Sequence, residues 1–386
     1  MDKKKIFLAV VIIMTVVLGA AFAQTGRVEP LLQTKWAQRT PFNNMMVNTV
    51  RHRTGCGTTA IAQIMKYYEH PRHGIEQSEP YSTGLGTIVP SVNFNFAYDW
   101  NNMLNTYNSG ATQRQTDAVA TLMYHLAVSF KINSGRTGTD SGTSTTRIMN
   151  ALVTHFGYDK SIQRRNRKYF DDDTWVKIIR EQLDLGMPVF CWYPGHFYVI
   201  DGYDDTGRFH FNWGWGGRSD GWYLPTVDWR TLGNEDADTG SEDEDGQNIV
   251  INIKPNAGGI PPGYEIALEN FAAQRTTVAR NERFEVYTFM RNVNNTSDRF
   301  YTGQAGVALV DNNNNIVAVI GTSNMGEGSW WSRLPDRPIN CSVPNTVRPG
   351  QYRLKIVTRP TNGAWRFATL SLVREGVPNS INFMVQ

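Results

Sequence analysis

The chain has 386 residues, 40% hydrophobic and 19% charged, with a net charge of +3. That apolar content and small net charge exclude a disordered chain, and the length gives room for two or three domains. The absence of a dense Lys/Arg block excludes nucleic acid as the main partner, and three cysteines exclude a disulfide scaffold. Lys3, Lys4 and Lys5 precede an apolar run from Ile6 to Leu18, and Ala21-Phe22-Ala23 supplies small residues beyond it. This pattern predicts a secretory signal peptide over 1–23, cut before Gln24. The run is too short for a stable anchor, so the mature protein is expected to be secreted, extracellular or periplasmic, with no membrane anchor.

Apolar spacing then predicts helices over 58–68, 116–130, 144–156 and 173–185. Strand patterns follow over 188–193, 197–203, 208–213, 221–224 and 248–253. Helices followed by strands indicate an α+β domain over 24–255. A Gly/Pro-rich linker occupies 256–264, and the text after it is all β. Alternation over 284–289, 306–310, 316–320, 352–357, 366–373 and 381–385 predicts an immunoglobulin-like sandwich over 265–386. The Asn-rich stretch Asp311 to Asn315 reads as a hairpin turn between two of these strands. The stretch Glu235 to Asp245 carries seven carboxylates without the spacing of a calcium loop, and reads as a solvated loop.

Chemistry concentrates in three places. Cys56 stands between Gly55 and Gly57 where a loop becomes a helix. The glycines leave its sulfur open, and the partial positive charge of a helix start favours thiolate. A thiolate nucleophile needs a base and proton donor. His52, His70 and His73 sit in polar surroundings, His125 and His155 within helices, and His210 inside a strand. His196 differs: it follows the turn Tyr193-Pro194-Gly195 and starts the apolar strand Phe197 to Ile200, 140 residues after Cys56. That interval suits a papain-like Cys/His pair. Asn212, 16 residues on, can meet His196 across a hairpin and accept from its ring, with Trp213 covering the contact. Cys191 and Cys341 read as buried, unbridged thiols.

Three ordered motifs carry a resemblance. They are Thr54-Gly55-Cys56 with Ala62-Gln63-Ile64-Met65-Lys66-Tyr67, then Gly195-His196-Phe197-Tyr198-Val199-Ile200-Asp201-Gly202-Tyr203, and finally Phe211-Asn212-Trp213-Gly214-Trp215-Gly216-Gly217 with Asp220-Gly221. Over roughly residues 36–255 the chain resembles the streptopain family of bacterial cysteine peptidases. The resemblance implies a papain-like fold, Cys56 as nucleophile, His196 as general base and acid, and Asn212 and Trp213 in support of the His. It also assigns Gln38, in Gln38-Arg39-Thr40-Pro41-Phe42-Asn43, to the oxyanion hole beside the Cys56 N–H.

The family carries an inhibitory prodomain after its signal peptide, and about 14 residues between Gln24 and Gln38 leave no room for one. Restraint would then fall to a separate protein inhibitor. The resulting expectation is a secreted cysteine endopeptidase acting on proteins or peptides, without metal or cofactor. A Cys/His amidase or acyl transferase acting on cell-wall peptides, and an inactive peptidase-like binding protein, are the alternatives. The C-terminal region is expected to be dispensable for cleavage and to dock surfaces through Trp330, Trp331 and Trp365. The acidic stretch is expected beside the cleft, favouring basic substrates.

Overall fold

The computed structural model describes residues 26–46, 53–84, 86–134, 141–193, 195–225, 247–260, 265–292, 303–325, 338–360, 363–373 and 376–386. The signal-peptide segment, His52, the acidic stretch, Trp330 and Trp331 lie outside the described residues.

Four α-helices are present among the described residues: α1 (Cys56–Tyr68), α2 (Gln113–Ser129), α3 (Thr145–His155) and α4 (Asp172–Asp184). Three begin with a side-chain cap. Thr112 accepts from Gln115 N in a capping box, Ser144 from Arg147 N, and Asp171 from Thr174 N. These caps satisfy N–H groups that the helix leaves without a partner. The first helix has no such cap. Its N-terminus is Gly55 at φ 89°, a backbone that a residue with a Cβ rarely adopts.

The central sheet has strands β1 (Gln163–Asn166), β2 (Val189–Tyr193), β3 (His196–Tyr203), β4 (Phe209–Asn212), β5 (Gly221–Tyr223) and β6 (Asn248–Ile251). Their order is β1-β6-β2-β3-β4-β5, and every pairing is antiparallel. An antiparallel sheet often leaves one face to water, yet β3 is buried along its whole length. The reason is a core on each face. Phe190, Phe197 and Val199 join the cluster containing Ile61, Ile64 and Met65 of α1, whereas Val189, Cys191, Tyr198 and Ile200 join Trp175, Ile179 and Leu183 of α4. Alternation along the strand thus serves two hydrophobic layers, which is why it reads as an apolar run.

The four predicted helices and five predicted strands of this half appear with ends moved by up to three residues. The first helix begins at Cys56 itself, two residues before the apolar spacing starts. Strand β1 has the sequence Gln-Arg-Arg-Asn and no apolar signal. It is a strand because β6 supplies its hydrogen-bonding partner.

Beyond Glu265 two further sheets face each other. One has strands in the order Ile339–Ser342, Arg283–Asn292, Glu265–Ala273, Thr369–Val373. The other runs Thr277–Val278, Ile381–Val385, Gly350–Pro360, Gly303–Val310, Ile316–Met325. Leu268, Phe271, Phe284 and Val286 of the first share one core with Val307, Leu309, Leu354, Ile356 and Phe383 of the second. Each such burial contributes about 1.5–3 kcal/mol. Glu265–Ala273 and Ile339–Ser342 carry no strong sequence pattern; pairing with Arg283–Asn292 makes them strands. Trp365 lies half-buried beside Ala308, Val310 and Val357, with the Arg359 guanidinium 4.6 Å from its ring centroid.

The two halves meet at named contacts. Asp159 Oδ2 accepts from Ala257 N at 2.9 Å and Gly259 N at 3.0 Å, fastening the start of the Gly/Pro stretch. Burial raises the Asp159 carboxyl, but the N–H groups of Ala257, Ser161 and Gly259 outweigh it and hold the group at about 2. Arg165 of β1 pairs with Glu265 at 3.0 Å.

Candidate active site

Because no side chain caps α1, the N–H groups of its first turn point to whatever lies before the helix. Cys56 is the first helical residue, half-buried against the helical core, and this position favours its thiolate. Next to it, a Cβ on Gly57 would lie 3.2 Å from the Phe197 ring, so the helix start and the start of β3 pack directly.

His196 opens β3 opposite Tyr193, closing the hairpin with β2, and is 1% exposed. Its Nε2 lies 3.0 Å from the Trp213 carbonyl oxygen. A carbonyl only accepts, so Nε2 carries the proton and Nδ1 is the basic nitrogen of the neutral ring. The Trp215 ring centroid is 4.9 Å from the imidazole, and those of Trp213 and Tyr198 are 6.1 and 6.5 Å away. These rings exclude water, which strengthens the hydrogen bond and stabilises an imidazolium through its π faces.

The acceptor for His196 is therefore the backbone of Trp213, not the side chain of Asn212. Register explains this. Asn212 pairs with Val199, whose side chain faces α1, so the Asn212 amide points to the same layer. There its Oδ1 accepts from Gln63 Nε2 at 2.9 Å and from Gly214 N at 3.1 Å, and its Nδ2 donates to Thr34 O at 2.9 Å. The Trp213 ring lies alongside the imidazole at an interplanar angle of 28°.

Gln38 is buried, and its carbonyl accepts from Thr54 N at 3.0 Å, two residues before the thiol. Gly216 N donates to Trp36 O at 2.9 Å, tying the same segment to the Trp-Gly-Trp turn. The structure thus gathers the Gln38 segment, Cys56, His196 and the Asn212–Trp213 turn at one end of the sheet.

Two carboxylates stand behind this group. Trp213 N donates to Asp220 Oδ1 at 2.9 Å. Burial pushes the Asp220 carboxyl up to about 6, with the Trp213 N–H and His210 pulling the other way. Asp201, fully buried, accepts from His210 Nδ1 at 2.7 Å and from Leu32 N at 2.9 Å; burial raises its carboxyl too. Sequence reasoning left both unassigned, along with Gln63 and Trp215. For Gln63 there was one signal: a polar residue amid Ala60, Ile61, Ala62, Ile64 and Met65.

The remaining candidates are structural. His125 hydrogen-bonds Tyr98 at 3.0 Å and is lowered to about 4 by burial. His70 reaches Gly157 O at 3.1 Å. Cys191 and Cys341 are buried and unbridged; burial raises both thiols, Cys341 to about 12. No group of three His, Cys, Asp or Glu residues among the described residues is placed to hold a metal.

Comparison with known proteins gives consistent results. The profile of the Peptidase C10 family matches residues 36–223. The thiol protease/hemagglutinin PrtT of Porphyromonas gingivalis is 33% identical over 252 residues, which is 62% of this chain and 28% of PrtT. A streptopain of Streptococcus pyogenes is 33% identical over 214 residues, 52% of each chain. The chain therefore spans about half the length of its streptopain relatives and less of PrtT. Among solved structures, active interpain A of Prevotella intermedia matches with a TM-score of 0.51 and 33% identity, covering 58% of this chain and 94% of interpain A. A prointerpain A fragment matches with a TM-score of 0.51 and 32% identity, covering 60% of this chain and 74% of the fragment. The mixed α/β half is thus a papain-like peptidase domain, and the chain belongs to the Peptidase C10 family.

Proposed function

We propose that the protein is a cysteine endopeptidase that hydrolyses peptide bonds of proteins through a Cys56 acyl-enzyme. The observation that carries this is an uncapped helix-start thiol whose neighbour Gly57 packs on Phe197, next to a strand-start His whose Nε2–H is held by the Trp213 carbonyl. The Cys56 thiol gives its proton to His196 Nδ1, the thiolate Sγ attacks the scissile carbonyl carbon, a C–S bond forms, and the carbonyl π electrons move to oxygen. The Cys56 N–H and the Gln38 amide stabilise that oxyanion, a contribution of about 3–4 kcal/mol per donor in comparable sites. His196 Nδ1–H then protonates the leaving nitrogen as the C–N bond breaks. In the second half Nδ1 takes a proton from water, which attacks the thioester and returns the thiolate.

Asn212 and Trp213 support His196 in this reading, the one through the backbone that follows it and the other through its carbonyl and ring. No step calls on a metal or cofactor. The chain is exported by the segment ending at Ala23. It divides into a catalytic domain over 24–255 and an immunoglobulin-like sandwich over 265–386, with a linker between. Substrates are proteins and peptides, as the thiol-protease names of its relatives suggest.

The experiment is casein and peptide hydrolysis by the wild-type chain and by Cys56→Ala. The expected loss is at least about 10⁴-fold. Undiminished hydrolysis by Cys56→Ala would overturn the reading. Rapid alkylation of Cys56 by iodoacetamide at about pH 6 is expected as well, since only a thiolate reacts quickly there.

A further inference from the structure

Gln63 lies two helical turns after Cys56 on α1 and is fully buried. A buried amide is costly unless its atoms are paired, and this one is paired throughout. Its Oε1 accepts from Thr34 Oγ1 at 3.0 Å, Trp36 N at 3.2 Å and Asn212 Nδ2 at 3.3 Å. Its Nε2 donates to Asn212 Oδ1 at 2.9 Å. The same Oδ1 accepts from Gly214 N at 3.1 Å. That N–H belongs to the planar peptide whose carbonyl, Trp213 O, accepts from His196 Nε2 at 3.0 Å. Gly214 has φ 72°, and a Cβ there would lie 3.2 Å from Thr59 Cγ2, so this peptide rests on α1. Trp36, the other backbone partner, precedes Gln38 by two residues. One side chain therefore ties the nucleophile's helix to the segment before Gln38 and, through Asn212 and one peptide plane, to the imidazole.

We infer that Gln63 is a positioning residue, locking α1 to Asn212 and the Trp213–Gly214 peptide so that the ring of His196 is held in register with Cys56. The inference rests on the proposed Cys56–His196 pair. A buried amide serving stability alone would change the melting temperature and leave the pH behaviour of the pair intact.

The test uses the full chain with Gln63→Leu and the isosteric Gln63→Glu. Readouts are kcat and KM on a peptide, the rate of Cys56 alkylation by iodoacetamide across pH, and circular dichroism. For Gln63→Leu, kcat should fall about 100-fold with KM nearly unchanged, as expected for a small misplacement of a reacting group. Its alkylation limb should move to higher pH. Gln63→Glu keeps the acceptor for Thr34 and Trp36 but turns a second acceptor toward Asn212 Oδ1. Its kcat should fall at neutral pH and recover toward wild type in acid, where a protonated carboxyl donates again. The titratable groups facing this chain of bonds are Asp220, through Trp213 N, and beyond it Asp201, His210 and Lys35. All are common to wild type and variants, so the comparison isolates residue 63. Wild-type kcat and alkylation profiles in either folded variant would overturn the role, and Gln63→Glu decides where Gln63→Leu does not fold. A wild-type thiol that alkylates only above about pH 8, as an ordinary cysteine does, would instead overturn the underlying pair.

Discussion

Asp220 shows how one carboxylate serves the site at a cost in stability. It accepts the Trp213 N–H, and so steadies the residue whose carbonyl holds His196. Burial nevertheless lifts its carboxyl from the ordinary aspartate value of 3.8 to about 6. A carboxyl raised in the folded state stabilises fully below the unfolded value, and that contribution is lost as pH rises through the folded one. Asp220→Asn keeps an oxygen for Trp213 N and removes the titration. Its stability relative to wild type should therefore climb between about pH 4 and pH 7, reaching roughly 3 kcal/mol at most. Urea unfolding at several pH values measures this, and a difference that does not vary with pH would refute it.

At the scale of the element, the decisive feature is the bare N-terminus of α1. Gly55 at φ 89° and ψ 141° takes the place that Thr, Ser and Asp caps hold on the other helices. It brings the chain sharply into the helix and leaves the first turn without a side-chain cap. Gly55→Ala forces a Cβ into a conformation open almost only to glycine, a strain of about 1–3 kcal/mol. The variant should lose that much stability in urea and should alkylate more slowly at about pH 6, as the helix start relaxes away. A variant as stable and as reactive as wild type would show that this backbone carries no strain. The register of β3 with β4 acts at the same scale. Pairing Val199 with Asn212 sends the Asn212 amide toward α1 and leaves the next backbone carbonyl for His196.

Across the whole molecule, the C-terminal pair of sheets meets the peptidase half at β1, the edge strand farther from β3. Among the described residues, Arg165 of β1 pairs with Glu265, near the Asp159 clasp on Ala257 and Gly259. Two strands, β6 and β2, stand between that edge and β3. A chain ending at Ile260 should therefore keep kcat/KM on small peptides within about twofold. It should also be less stable by about 1–3 kcal/mol, because a largely buried guanidinium loses its partner. Glu265→Gln in the full chain should reproduce part of that loss without touching turnover. A folded, shortened chain without activity would overturn this separation of tasks.

The amino-acid sequence determined what depends on neighbours in the chain. Glycines around Cys56 and the apolar run after His196 announced an open thiol at a helix start and a rigid strand-start imidazole. The helical period located the helices, and short apolar runs located the buried strands of the peptidase half. Tertiary structure decided what depends on pairing. The strand Gln163–Asn166 has no apolar pattern and exists because β6 lies beside it. The acceptor for His196 is a backbone carbonyl, which every residue offers, so no residue type could mark it. Gln63 acquires its role from partners 27 to 149 positions away, Trp36 and Asn212 among them. Such partners become neighbours only when the sheet fixes its register and α1 settles across it.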